Sequence, residues 1–175
     1  LLKGFKDIRD EGKFIGGDEL EAPLSVYLGA VANPFADPFE YRVDRLEKKV
    51  EAGASFIQTQ CIFDIDRFKR WMELVRERGL HKKVAILGGV TPIKSLGAAR
   101  YMKNYVSGIT VPDELIERLQ GAEKKKEEGL NICIETIQQL KEIEGVAGVH
   151  IMAIAWEEVV PEIVERAGLY PRPKF

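Results

Sequence analysis

The feature that most constrains this chain is a regular alternation of short extended runs and amphipathic helical stretches, carried from end to end without repeats, low-complexity segments or a linker. Such alternation builds parallel sheets, because each crossover helix returns the chain to the same end of the next strand. Extended runs are predicted at Leu24 to Ala32, 55–62, Val84 to Leu87 and Val149 to Ala155, with a shorter piece at Ile109 to Val111. Helices are predicted over 1–13, from Pro38 to Gly53, from Asp64 or Asp66 to Gly79, from Ser95 through Tyr101, from Pro112 to Gln120, over Glu123 to Glu144 and over Glu157 to Ala167.

The boundaries rest on local chemistry. Asp37 before Pro38 reads as an N-cap followed by proline at the first helical position, and Gly88 with Gly89 reads as a break after the third strand. Gly168, Pro171 and Pro173 stop the last helix. The fold class is therefore α/β with four parallel strands, each followed by helix. Two architectures fit: a doubly wound sheet, or half of a (β/α)8 barrel. A whole barrel takes about 250 residues, so the second requires that half of it lie outside these 175 residues. Residues 1–175 read as one domain.

Composition removes several functions. The chain is 45% hydrophobic and 31% charged with a formal charge of -2, which gives no field to attract nucleic acid or an anionic membrane. No apolar run approaches the roughly 20 residues of a membrane span. The start, Leu-Leu-Lys-Gly-Phe-Lys, has neither a signal-peptide core nor a Met, so the expectation is a cytoplasmic protein of which this is a piece. Cys61 and Cys133 make no metal-ligand spacing and read as reduced, mostly buried thiols.

Candidate chemistry lies at the carboxyl ends of the strands, where α/β proteins bind ligands. Gln58 and Gln60 interrupt what should be an apolar parallel strand, and each must find partners or cost roughly 1–3 kcal/mol. Asn33, Asp64, Thr91, Lys94 and the segment Met152 to Trp156, which includes Ile154, fall at the same level. The set is polar and neutral: no paired carboxylates, nucleophile elbow, zinc helix or phosphate loop is present. Gly88 to Thr91 fits either close ligand approach or a tight turn. Arg42, Arg45 and Lys49, at i, i+3 and i+7, would hold a diphosphate, but interleaved Asp44, Glu47 and Glu51 favour a solvated face on spacing alone. Lys124 to Glu128 is a solvated helix start, Cys133 a structural thiol and His150 a satisfied core or rim histidine.

Taken in order, a series of local motifs resembles the carboxyl-terminal half of the methylenetetrahydrofolate reductase barrel. It comprises Leu46-Glu47-Lys48-Lys49-Val50-Glu51-Ala52-Gly53-Ala54, Thr59-Gln60, Phe63-Asp64, Gly89-Val90-Thr91-Pro92, Val111-Pro112, Gly129-Leu130-Asn131 and Gly148-Val149-His150. The resemblance implies the last four βα units of a (β/α)8 flavoprotein, which reduces methylene-tetrahydrofolate to methyl-tetrahydrofolate through FAD, with NAD(P)H or another electron donor. It implies FAD contacts from Asn33, Arg45, Lys48, Lys49 and Ala54, and folate-pterin contacts from Gln60, Met102, Met152 and Ile154. The family's catalytic glutamate belongs to its other half, so no catalytic residue and no metal ligand is expected here. A lone half-barrel is expected to be inactive, to hold FAD weakly or not at all, and to self-associate, with an electron-donor subunit as a further partner. The alternatives are a non-catalytic half-barrel module and another pterin-dependent barrel enzyme, such as a methyltransferase.

Overall fold

A computed structural model describes residues 1–171. Four strands, β1 (Gly29–Ala32), β2 (Phe56–Cys61), β3 (Ala85–Val90) and β4 (Val146–Ile151), form one sheet in the order β1-β2-β3-β4, parallel throughout. A doubly wound sheet reverses its strand order at a switch point. This one does not reverse. Sequential parallel winding is that of a barrel, and it leaves β1 and β4 as edges among the described residues.

The helices are α1 (Leu2–Glu11), α2 (Tyr41–Glu51), α3 (Ile65–Glu77), α4 (Leu96–Tyr105), α5 (Asp113–Gly121), α6 (Lys125–Lys141) and α7 (Val160–Arg166). The main core sits between one face of the sheet and α2, α3, α6 and α7. Ile57, Ile86 and Val90 meet Val43, Leu46, Phe68, Trp71, Met72, Val75, Ile137, Leu140 and Ile163 there. Helical spacing explains the helix side, for Leu130, Cys133, Ile137 and Leu140 all fall on the buried stripe of α6. Period-two alternation explains the sheet side. In β2, Ile57, Thr59 and Cys61 are buried while Phe56, Gln58 and Gln60 face the other way and are half-buried. A second cluster, Ile93, Ala99, Val111, Leu115, Leu119 and Ile132, holds α4 and α5 against α6.

The opposite face of the sheet carries no helix layer among these elements. Val31 is 67% exposed and Tyr27 72%. Tyr27 stacks on Phe56 at 5.5 Å, and Phe56 in turn covers Gly29, its partner in register.

Several boundaries differ from the sequence expectation. The chain from Leu24 to Leu28 forms no strand, although Ser55 N–H donates to the Leu28 carbonyl at 2.7 Å. α2 starts at Tyr41, with Asp37 and Pro38 in the preceding loop, and the Asp37 carboxylate accepts from Arg67 at 2.9 Å instead of capping a helix. Asp64 does cap α3, accepting from Arg67 N–H at 2.9 Å, and Ser95 caps α4 at 3.1 Å. Gly88 and Gly89 lie inside β3, since neighbours occupy the space where side chains would stand: Leu140 over one, the Thr59 and Gln60 carbonyls over the other. β4 begins three residues early, with Val146 paired to Ile86. Ile109 to Val111 is not a strand. Gly168, with φ of 65°, follows the last helix, and Pro173 lies outside the described residues.

The thiols are buried and free. Burial pushes the Cys61 thiol up against the opposing pull of the Thr91 hydroxyl, 2.9 Å away. Burial, followed by the neighbouring Cys61, pushes Cys133 up to about 12. Neither thiolate forms readily at neutral pH, and the thiolate is the nucleophile. Native protein should therefore react with a thiol-selective disulfide reagent at least tenfold more slowly than urea-unfolded protein. Equal rates would contradict the burial.

Candidate functional site

At the carboxyl end of β1 and β2, a cavity of about 510 Å3 opens between the uncovered sheet face and α2. Its lining is Val31, Ala32, Asn33, Arg42, Arg45, Leu46, Lys49, Gln58, Thr59, Gln60, His150 and Met152. Three of these are cations and none is a carboxylate. Arg42, Arg45 and Lys49 make no ion pair among the described residues, and Arg42 Nε is buried without a partner. Lys49 donates to the Val31 carbonyl, and burial, with Arg45 adding its like charge, holds its ammonium below the usual lysine range. Uncompensated positive charge facing a cavity attracts an anion.

The floor depends on an irregularity in β2. Gln58 pairs with Leu87 but Cys61 with Gly89, so β2 spends one more residue than β3 over this interval. The Thr59 hydroxyl accepts from Gly89 N–H at 2.8 Å within the bulge. A Cβ on Gly89 would lie 2.4 Å from the Thr59 carbonyl oxygen and 2.8 Å from Met152 Cε. Gln60 uses its Oε1 to accept from Cys61 N–H at 3.0 Å. Asn33 ties the rim together: its Oδ1 accepts from Phe35 N–H at 2.9 Å, and its Nδ2 donates to the Gly108 carbonyl at 3.1 Å. The loop before α5 is thereby drawn over Asn33 and Gln60.

The family profile of methylenetetrahydrofolate reductase matches residues 17–168. The chain belongs to the methylenetetrahydrofolate reductase family. It is 28% identical over 137 residues to methylenetetrahydrofolate reductase 1 of Schizosaccharomyces pombe, covering 76% of this chain and 22% of that protein. To methylenetetrahydrofolate reductase 2 of Saccharomyces cerevisiae it is 30% identical over 134 residues, covering 74% and 22%. To the 5,10-methylenetetrahydrofolate reductase of Escherichia coli it is 25% identical over 152 residues, covering 85% and 50%. The chain thus spans half or less of each of these three relatives. A solved structure of an uncharacterized protein from Clostridium thermocellum, described as binding two copies of 5-methyl-5,6,7,8-tetrahydrofolic acid, superposes with a TM-score of 0.63 at 20% identity, covering 81% of this chain and 52% of that one. That likeness is one of fold, and it agrees with a parallel, barrel-like sheet.

In this reductase-family chain the residues singled out by sequence separate into two groups. Asn33, Arg45, Lys49, Gln60 and Met152 converge on the cavity. Four others do not line it. Lys48 faces solvent, 5.9 Å from the Tyr41 ring, because it sits one residue and about 100° round the helix from Lys49. Ala54 is buried in the main core between α2 and the amino end of β2, since α2 runs back against the strands. Met102 packs into the second cluster with α5. Ile154 is 75% exposed beyond the end of β4. Asp64 and Thr91 have structural partners already described, and Lys94 donates to the Ala155 carbonyl at 3.0 Å.

Sequence reasoning passed over His150, which does not have the satisfied environment expected of it: its Nδ1 is buried without a partner. The signal was present in β4, where His150 alternates with Val149 and Ile151 and so faces away from the helix layer. Among the described residues, no group of three or more His, Cys, Asp or Glu is placed to hold a metal, and no helix is long and apolar enough to cross a membrane.

Proposed function

We propose that residues 1–175 are the carboxyl-terminal portion of a single (β/α)8 barrel that reduces a methylene-pterin of the folate type to the methyl-pterin with FAD, in one-carbon metabolism. The observation that carries this reading is the cavity wall of Arg42, Arg45 and Lys49, free of any lining carboxylate, set beside the amides of Gln58 and Gln60. The residues fit FAD. A diphosphate needs cations whose charge is not already neutralised by a carboxylate; Lys49 and Arg42 have only backbone carbonyls as internal partners, and Arg42 Nε has none. When bound, FAD would supply hydride transfer, taking the hydride from NAD(P)H or another donor and passing it to the folate. Arg42, Arg45 and Lys49 would hold the diphosphate; Leu46 and Val31 would exclude water beside it; Asn33 would keep the rim in place. Gln60 would meet the ring system through its amide N–H groups, because its oxygen is already engaged. The catalytic acid and the rest of the barrel would come from a preceding half, an arrangement supported by the sequential open sheet and by relatives of which this chain covers half or less.

The test is FAD affinity. Charge-assisted contacts to phosphate are worth about 1 kcal/mol or more when partly shielded from water. Replacing Arg42, Arg45 and Lys49 together by Gln should weaken FAD binding, read by flavin fluorescence, at least tenfold at low salt and by less as ionic strength rises. Affinity that neither falls in the variant nor responds to salt would remove the reading.

A further inference from the structure

His150 is half-buried in β4, directly beside Gly89 in register, and it lines the cavity opposite Gln60 across β3. Its ring nitrogens differ. Nδ1 is buried without a partner, whereas Nε2 is not among the buried, unpartnered atoms of the described residues, and the residue lines the cavity. A neutral imidazole has one N–H donor and one acceptor nitrogen. Placing the N–H on Nδ1 would bury an unpaired donor and leave the accessible nitrogen bare; placing it on Nε2 puts the donor where a partner can reach it. Gln60 is biased the same way, for Cys61 N–H occupies its Oε1, and its amide nitrogen, which lies near Gly108, makes no hydrogen bond among the described residues. Between the two, Gly89 has no side chain, and its position is closed over by the Thr59 and Gln60 carbonyl oxygens and by Met152 Cε.

We infer that His150 and Gln60, whose backbones stand roughly two strand spacings or 10 Å apart, act as a pair of hydrogen-bond donors to acceptor atoms of one heterocyclic ligand lying over Met152. His150 is a binding residue of this site, and its Nε2–H tautomer is set by the fold before any ligand arrives. The inference rests on the functional reading above for the identity of the ring, which FAD or a reduced folate can each supply. It is independent of that reading for the tautomer.

The experiment is long-range 1H–15N correlation spectroscopy of the imidazole rings in the full chain, with the His150 signals identified by their loss in His150→Gln. The free protein should show a pyrrole-type Nε2 and a pyridine-type Nδ1. Addition of FAD or of 5-methyltetrahydrofolate should move the Nε2 resonance, and the ligand that moves it identifies the source. His150→Ala should weaken that ligand roughly three- to tenfold, the effect of one hydrogen bond, while His150→Gln, which keeps an N–H donor, should recover most of the loss. An Nδ1–H tautomer overturns the inference. So does a ligand that binds with the His150 ring unmoved, an outcome that leaves the functional reading standing. Failure of both ligands to bind the barrel completed by its preceding half overturns the two together.

Discussion

Gly129→Ala should lower the stability of this chain by about 3 kcal/mol or more, read as a drop in the urea midpoint with the slope unchanged. On helix propensity alone the substitution would be favourable by about 1 kcal/mol, since Gly129 stands inside α6. Packing reverses the sign. A Cβ on Gly129 would lie 1.8 Å from the Ile93 carbonyl oxygen and 2.7 Å from its carbon, and these are backbone atoms that cannot swing aside. Ile93 is fully buried, and its N–H also donates to the Gly129 carbonyl at 3.4 Å, so the loop after β3 and α6 are pinned at this point from both directions. The same contact joins the main core to the second cluster, in which Ile93 and Ile132 meet. A variant as stable as the parent would mean that α6 can slide along the sheet, contrary to this packing.

Alone in solution, the 175-residue chain should run as a dimer or larger assembly, with a mass by light scattering at least twice that of one chain. Among the described residues β1 and β4 each present an unpaired edge, and unpaired N–H and C=O rows invite another strand. The face without helices adds apolar surface, Tyr27 and Val31 being its most exposed members. Burying about 400 Å2 of such surface at about 25 cal/mol per Å2 gives about 10 kcal/mol, comparable to the cost of association. Hydrogen bonds along the edges then tip the balance. Val31→Lys, which places a charge on that face at the edge strand, should shift the population toward monomer. A parent chain that stays monomeric at tens of micromolar would show that the edges are blunted.

The sequence made the helices legible because each carries its own signal: Val43 and Leu46 on one stripe, Asp64 and Ser95 at caps. Strands β3 and β4 were harder, for a physical reason. Gly88 and Gly89 look like a break in isolation, and only the approach of Leu140 and of the Thr59 and Gln60 carbonyls explains why a strand needs them. β4 was placed too late because the apolar run through Ile154 outweighed Val146 and Ala147, whereas the sheet takes its register from β3. Strand order, which decides between a doubly wound sheet and barrel winding, is a property of the assembled sheet that no local pattern carries.

At the site, the i, i+3, i+7 spacing groups the three cations of α2 that line the cavity, but spacing alone favours a solvated face; the resemblance reverses that reading and also draws in Lys48, which lies off that stripe. Motif order also could not show that Met102 belongs to a different core, or that Ile154 lies past the end of its strand. His150 was passed over because its meaning depends on two absences, a missing partner at Nδ1 and a missing side chain on Gly89.

The bond from Asn33 to the Gly108 carbonyl crosses 75 positions of sequence to join two loops that belong to different βα units. Surface loops ordinarily accept added or lost residues with little penalty. These two are coupled, because lengthening the segment around Gly108 withdraws the acceptor that orders the turn after β1, and with it the approach to Arg42. Insertions over 106–110 should therefore be tolerated less well than insertions in the exposed turn at 16–18, and the mouth of the cavity should diversify through paired changes on both sides of that bond.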